Sequence, residues 1–395
     1  MQIELPISKS IANRWLMLQA IHGDELMPVS DSMPDDVQIL HRALSLIQAN
    51  VFPRRSQGVL ISLQSNDCCA YDCERNVVEN KVVDVVDLKL YLGNCGTAMR
   101  FLTAYCAQLE GQTTILDGVE RMHHRPIGQL VDSLREIGAD IEYLGEEGFP
   151  PLRIKGCILD KHRIVTINNP QSTQFVSALL LIGANVQTDS TSPYITLTRE
   201  MIKNKEQGTK NKDKLLTTNQ TQVTNLGSLL LAPYSEIERD WSSATFWYEY
   251  VALHGGEITL PGLSRDSLQG DKVVADIFAH LGVTTQYTEE GIQIRHSQAI
   301  HNSKFLIQSF SACPDLYPAV ALTCERLGIE LHAIGIESLP LKESDRLRAV
   351  AEHRTDSDHR MAMALLIAGY EVDDTACISK SYPQFLEHFR QLRKK

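Results

Sequence analysis

Residues 97–111 read TAMRFLTAYCAQLEG, a run of small and apolar residues that stops at a glycine. Glycine is the usual residue just past a helix end, because the left-handed conformation costs it little. A strand-like run follows. The same pattern recurs at Ile11–Gly23, Thr173–Gly183, Ser243–Gly256, Leu316–Gly328 and Arg360–Gly369. Gly111, Gly183, Gly256 and Gly328 follow one another at intervals of 72, 73 and 72 residues. A second, more amphipathic series keeps phase with the first. Ile127, Leu130, Val131, Leu134 and Ile137 fall at helical spacing and run into Gly138. Val273, Val274, Ile277, Phe278 and Leu281 run into Gly282, 144 residues later, and Gly208 lies near the midpoint.

The chain therefore reads as about six copies of a unit with two helices and several strands. The period exceeds that of a solenoid, so globular domains built from internal copies are expected. At roughly 150 residues per domain, 395 residues make two domains. Gly23 to Gly111 is longer than the period, which predicts an insertion near Gln64–Lys81. Gly328 to Gly369 is shorter by about thirty residues, which predicts loss of a second helix and a strand pair around Glu352–Ser357. Either a real deletion or an omitted stretch accounts for that. The polar run Lys203–Lys214 reads as a solvated loop.

Composition narrows the function. Lys plus Arg is 38 and Asp plus Glu is 49, a net charge of −11, which argues against a nucleic-acid binder. No apolar run reaches the roughly 18 residues of a membrane helix, and Met1–Ser10 lacks the pattern of a secretory leader. A cytoplasmic location is expected. The nine cysteines include no C-x-x-C pair, and Cys68, Cys69 and Cys73 have no histidine at ligand spacing, so reduced thiols are expected.

The informative residues gather where the helices begin: Lys9-Ser10 with Arg14; Asn94, Gly96, Thr97 and Arg100; Ser172-Thr173-Gln174; Asp240 with Ser242-Ser243; Asp315; and Asp358-His359-Arg360. Each Ser, Thr, Asp or Asn alone is an ordinary N-cap. Together, several helix N-termini reinforced by Lys and Arg make a trap for phosphates and carboxylates. That suits a small anionic metabolite on an acidic protein. Lys342 and Arg346 are four apart, as on one helix face, with Glu343 between them. Pro126 precedes an amphipathic helix, and Arg125 stands just before it. His123 and His124 are adjacent and point apart, so they make a poor metal pair. There is no phosphate-binding P-loop, no G-x-G-x-x-G after a strand and no G-x-S-x-G elbow.

The strings Ser8–Arg14, Gly93–Arg100, Arg121–Ile127, Ser172–Phe175, Lys342–Leu347 and Asp358–Met363, in that order, resemble the 5-enolpyruvylshikimate-3-phosphate synthase family along essentially the whole chain. The resemblance implies an α/β (α+β) fold: a two-domain inside-out α/β barrel of six βαβαββ copies, helices inside and sheets outside. It implies that residues 1–7 with 239–395 form one domain and 8–238 the other, with the ligands in the cleft between them. Several departures stand out. Ile7 occupies the place of a glycine, Phe101 that of a proline, Thr173 that of a second serine, Ser338 that of an asparagine, Pro340 that of a basic residue, and Arg239 that of a glycine before Asp240.

The implied reaction moves the enolpyruvyl group of phosphoenolpyruvate to the 5-hydroxyl of shikimate 3-phosphate through a tetrahedral ketal. No metal or organic cofactor is implied, so side chains must supply charge and protons. By resemblance Lys9, Ser10, Arg14, Ser172, Thr173, Tyr194, Asp315, Ser338 and Lys342 face shikimate 3-phosphate. Lys9, Asn94, Gly96, Arg100, Arg125, Gln174, Arg346, Arg360 and Lys380 face phosphoenolpyruvate. Lys9, Asp315 and Glu343 are the implied catalytic residues, Asp315 as base for the attacking hydroxyl and Glu343 in proton exchange at C3. A monomer acting on small anionic substrates is expected. Two other readings stand beside it: an impaired paralogue that only binds phosphorylated metabolites, and the sibling transferase acting on UDP-N-acetylglucosamine.

Overall fold

The computed structural model describes residues 1–51, 87–215, 237–297 and 305–393. The expected insertion at Gln64–Lys81, with Cys68, Cys69 and Cys73, lies outside the described residues. The chain divides into two compact units. The smaller holds Leu16–Met27 and Ile39–Ser190; the larger holds Met1–Trp15, Pro28–Gln38 and Thr191–Lys395. Helices α1 (Lys9–His22) and α2 (Asp35–Val51) supply turns to both.

In the smaller unit, β1 (Leu88–Tyr91), α3 (Gly96–Ala107), β2 (Thr113–Asp117), α4 (Gly128–Glu136), β3 (Asp140–Tyr143) and β4 (Leu152–Lys155) make one full βαβαββ copy. The sheet order is β1-β2-β4-β3. β1 and β2 are parallel, with Leu90 opposite Leu116; β4 is antiparallel to both neighbours, with Ile154 opposite Thr114 and Ile141. Strand residues alternate between buried and exposed, so one sheet face is covered. Every residue of α3 is buried, as its all-round apolar and small composition dictates. Gly156 shows how closely the chain approaches the end of α3: a Cβ there would lie 1.8 Å from the carbonyl oxygen of Leu109, just past the helix, and 2.9 Å from that of Cys106 within it. The next copy begins with β5 (Ile164–Thr166), α5 (Thr173–Leu181) and β6 (Asn185–Gln187), and α5 packs on α3.

The larger unit contains α6 (Pro193–Leu215), then α7 (Trp241–His254), β7 (Glu257–Pro261), α8 (Val274–Ala279), β8 (Val283–Tyr287) and β9 (Gly291–His296). These strands form an antiparallel sheet, β7-β9-β8, with Ile258 opposite Ile294. Then come β10 (Phe305–Ser309), α9 (Tyr317–Leu327), β11 (Glu330–Ile334), α10 (Arg346–Ala351), α11 (His359–Ala368) and α12 (Phe385–Arg393). No sheet among the described residues closes into a barrel. The helices form the interior here too: α7 is buried from Trp241 to Glu249, and α11 is buried almost throughout. Gly328 and Gly369 end α9 and α11 with φ of 69° and 85°, in the left-handed region that favours glycine just past a helix end.

Two expectations need correction. Lys203–Lys214 lies within α6 rather than in a loop, and Gly208 does not end that helix. Lys, Glu and Gln are good helix formers, so a polar run can be helical when it faces water. The last shortened copy does keep its second helix, α10, with six residues, as many as α8 has. The strand pair is absent among the described residues, and β10 and β11 form a two-stranded parallel sheet. A turn of residues 352–358 joins α10 directly to α11. His353, Asp356 and Ser357 take positive φ there, and side chains clamp it. Thr355 donates to Asp373, Arg348 and Arg354 both reach Asp356, and His353 stacks on Tyr370 at 4.0 Å.

Trp247 of α7 anchors the larger core, stacking on Phe385 at 5.4 Å and donating its indole N–H to the Tyr382 hydroxyl at 3.1 Å. Two residues on, Glu249 is wholly buried, and neither carboxylate oxygen has a hydrogen-bond partner among the described residues. Burial pushes its carboxyl well above the usual carboxylate range. An unfolded chain releases this proton where the folded one retains it, so stability falls as pH rises above the unfolded value. Glu249→Gln should therefore raise the urea midpoint near pH 8, by a stability gain of about 1–3 kcal/mol, and flatten the decline from about pH 5. An unchanged or lower midpoint near pH 8 would contradict this.

Candidate active site

In the smaller unit the site is built at the N-terminus of α3. The turn before it closes through Cys95 N to Leu92 O at 3.0 Å, and Gly96 opens the helix. Arg100, one turn on, donates Nη1 to Gln174 Oε1 at 2.7 Å, and Gln174 Nε2 donates to Thr97 Oγ1 at 2.8 Å. Arg125 donates Nη1 to the Asn94 carbonyl at 3.1 Å and to its side-chain oxygen at 3.3 Å. Both guanidinium groups stand over Gly96. A Cβ there would meet Arg125 Nη2 at 2.5 Å and Arg100 Nη1 at 2.7 Å. Gly96 is thus glycine because two cations lie against its backbone at a helix start. Ser172 caps α5, accepting from Gln174 N at 3.3 Å, and Thr173 is the first residue of that helix.

In the larger unit the centre is Arg346, which is fully buried. Its Nε donates to Asp358 Oδ2 at 2.8 Å, Nη1 to Asp315 Oδ1 at 2.8 Å and Nη2 to Glu343 Oε2 at 3.2 Å. Burial opposes this charge, but Asp358, Asp315 and Glu343 more than offset it and raise its already high pKa. Asp315 also pairs with Arg360 Nη2 at 2.8 Å and lies 3.9 Å from Lys342 Nζ. Burial would raise its carboxyl, but Arg360, Lys342 and Arg346 hold it well below the usual carboxylate range. Glu343 shares its other oxygen with Lys380 at 3.0 Å. Asp358 caps α11 through Arg360 N at 2.9 Å and accepts from Ser344 Oγ at 3.2 Å. The short turn 352–358 thus delivers the carboxylate that holds Arg346.

Lys9 begins α1 and pairs with Asp36 Oδ2 at 2.8 Å. Arg14 donates Nε to Thr198 Oγ1 at 2.7 Å, Nη2 to the Tyr194 carbonyl at 3.2 Å and Nη1 to the Ser10 carbonyl at 3.0 Å. Burial lowers its pKa to about 10, so it keeps its charge at neutral pH. The Tyr194 hydroxyl bonds to Asp271, whose carboxyl is raised by burial first and by Asp315 next. Ser338 is half-buried before the Leu339–Leu341 turn and bonds to none of the others.

The structure thus joins Asp315, Lys342, Glu343, Arg346, Arg360 and Lys380 in one network, and Asn94, Gly96, Arg100, Arg125 and Gln174 in another. Lys342 and Arg346 do not share a helix face. Asp345 caps α10 by accepting from Arg348 N, so the helix starts at Arg346 and Lys342 is extended. Both still reach Asp315, because the chain before the cap folds back. Residue spacing does not single out Asp36 or Asp271. Asp36 lies in an Asp-Asp pair that reads as ordinary acidic decoration of a helix start, and only its salt bridge to Lys9 distinguishes it.

A family model described as EPSP synthase (3-phosphoshikimate 1-carboxyvinyltransferase) matches residues 1–354 and 350–389. The junction falls on the short turn between α10 and α11. A 3-phosphoshikimate 1-carboxyvinyltransferase from Bacteroides fragilis is 33% identical over 98% of this chain and 94% of its own length. One from Bordetella parapertussis is 30% identical over 99% and 95%. An EPSP synthase structure from Acinetobacter baumannii superposes with a TM-score of 0.59 at 18% identity, covering 99% of this chain and 95% of that one, which bears on the fold. With its glycine-punctuated copies, its helix-start cations and these relatives, the chain belongs to the EPSP synthase (3-phosphoshikimate 1-carboxyvinyltransferase) family.

Proposed function

We propose that the chain transfers the enolpyruvyl group of phosphoenolpyruvate to the 5-hydroxyl of shikimate 3-phosphate and releases phosphate. The observation that carries the reading is the Arg346 network: a buried guanidinium held by three carboxylates, two of which, Asp315 and Glu343, are also held by Arg360, Lys342 and Lys380. Charges packed this way are costly unless they serve ligands that bring matching charge. Phosphoenolpyruvate, with a carboxylate and a phosphate, is such a ligand. Arg100, Arg125, Gln174, Asn94 and Gly96 would hold it, together with Lys9, Arg346, Arg360 and Lys380. Ser10, Arg14, Ser172, Thr173, Tyr194, Ser338 and Lys342 would hold shikimate 3-phosphate, with Lys9 and Asp315 shared.

In the addition step the 5-hydroxyl oxygen bonds to C2 of phosphoenolpyruvate, its proton passes to Asp315, and C3 receives a proton from the carboxyl form of Glu343, whose carboxylate form remains. In the elimination step Glu343 takes a proton back from C3, the C2=C3 double bond re-forms as the C2–O bond to phosphate breaks, and phosphate leaves with the proton that Asp315 had taken up, which restores both carboxyl groups. Asp315 is a weak base while Arg346, Arg360 and Lys342 crowd it. Substrate anions that engage Arg360 and Lys342 lessen that stabilisation and make it a stronger base. Lys9 supplies a positive charge beside the departing phosphate.

We also propose that residues 1–7 with 239–395 form one domain and 8–238 the other. The two chain passes at that boundary lie side by side. Ile7 bridges Arg239, Ser8 N donates to Glu238 O at 2.8 Å, and Asp240 N donates to Pro6 O at 3.0 Å. A cytoplasmic monomer belongs to the same reading; among the described residues no helix is long and apolar enough to cross a membrane.

A phosphate-release assay with both substrates tests the function. Release that requires both is expected; saturable binding without release would overturn it. Lys9→Met or Glu343→Gln should lower turnover by at least about tenfold with the fold intact, since each removes a charge or proton carrier from the reacting atoms. Wild-type turnover in either variant would refute that residue's role. Gly96→Ala must displace Arg125 and Arg100, so KM for phosphoenolpyruvate should rise by about tenfold or more, with KM for shikimate 3-phosphate little changed. Equal losses for both would contradict the assignment.

A further inference from the structure

The first turn of α2 carries Asp35 and Asp36, and neither belongs to the set assigned above. Asp36 is almost fully buried and holds the Lys9 ammonium at 2.8 Å, with side-chain exposures of 3% and 15%. The turn is itself pinned. Asp35 accepts from Ser379 Oγ at 2.5 Å, and Gln384 Nε2 donates to the Ser32 carbonyl at 2.9 Å. Ser379 adjoins Lys380, which pairs with Glu343. The segment before α2 is therefore docked on the chain that carries Lys380, and it presents Asp36 to Lys9 from a fixed place.

We propose that Asp36 is the positioning residue for Lys9, holding the ammonium where the substrates' phosphate and carboxylate charges are to be met. This rests on the functional reading above only for what Lys9 then does. Lys9 faces Asp36 on α2, Glu343 ahead of α10, Asp240 at the start of α7, and His359 and Arg360 at the start of α11. Burial and Arg360 both disfavour its charge; Asp36 and Glu343 favour it, and their sum leaves the ammonium firmly protonated. Glu343 is shared with Arg346 and Lys380, and Asp240 is engaged in capping α7. Asp36 alone among these carboxylates bonds Lys9 directly. With Asp36 neutral, burial and Arg360 prevail and the lysine loses its proton at lower pH. A buried, neutral Lys9 is also no longer drawn to one position.

Trace acetylation with acetic anhydride, read by peptide mass spectrometry, follows the reactive neutral amine of Lys9 against pH and needs no substrate. In Asp36→Asn the midpoint for Lys9 should move down by about one pH unit or more, and in Asp36→Glu it should stay near wild type. The alkaline limb of kcat/KM for phosphate release should move down with it in Asp36→Asn, so that activity lost at high pH returns at low pH. A uniform structural defect would lower the whole profile without moving that limb. An unchanged Lys9 midpoint in folded Asp36→Asn, or a profile lowered in parallel, would overturn the proposal. Absence of phosphate release from the wild type would instead sink the functional reading, while the Lys9 midpoints still decide the role of Asp36.

Discussion

A buried arginine cannot be left alone. Arg346 has lost its water, and the larger unit answers with Asp315, Glu343 and Asp358, one on each nitrogen of the guanidinium fork. Removing all three partners would strand that charge in the interior, and removing one weakens its compensation. That constraint orders the rest. Asp358 must lie at the start of α11, Asp315 at the start of α9, and Glu343 just ahead of α10. Three helix starts are thereby drawn to one guanidinium, and the cations near them, Arg360, Lys342 and Lys380, are drawn in after.

The repeated architecture makes such convergence easy. Each copy runs strand to helix through a short turn, so each places a cap residue and free N–H groups at the same point of its motif. Asp240, Asp345 and Asp358 cap α7, α10 and α11, and Ser172 caps α5. A cap is a local solution to unsatisfied backbone donors. With a lysine or arginine added one turn away, the same cap becomes half of an anion site. The shortened copy shows how little scaffold this requires: its strand pair is absent among the described residues, yet α10 and α11 still meet. The tight turn 352–358 is held by Thr355–Asp373 and by Asp356 with its two arginines, so Arg346 and Asp358 stay in register.

Much of this arrangement is legible in the amino-acid sequence. The 72-residue spacing of glycines reports helix ends to within a few residues: Gly183 and Gly328 end α5 and α9 with the positive φ that other residues avoid, whereas Gly111 lies four residues past α3 and Gly255 rather than Gly256 caps α7. Of the helix-start residues named from type alone, Asp315, Asp358 and Arg360 share one network and Asn94, Gly96, Thr97, Arg100 and Gln174 another, while Lys9 and Arg14 bond elsewhere. What is not legible is set by context rather than by type. A lysine- and glutamate-rich run looks the same as loop or as solvated helix, so composition does not distinguish the end of α6 from a loop. Lys342 and Arg346 have helical spacing, and only the cap at Asp345 decides that the helix begins between them. Asp36 and Asp271 carry no local pattern of their own. Their roles come from partners far along the chain, Asp36 from Lys9 and Asp271 from Tyr194 and Ser242, and single-sequence spacing does not report those.

The central claim is that these buried cations are arranged to receive small, multiply charged acids. The most direct measurement is the melting temperature of the wild-type protein with phosphoenolpyruvate and shikimate 3-phosphate together, compared with sodium chloride at equal ionic strength. A ligand that binds only the folded state should stabilise it in step with the logarithm of its concentration above the dissociation constant, by about 2.7 kcal/mol at a hundred times that constant. A rise of that form above the salt control is predicted. A melting temperature no higher than salt alone produces would contradict the account.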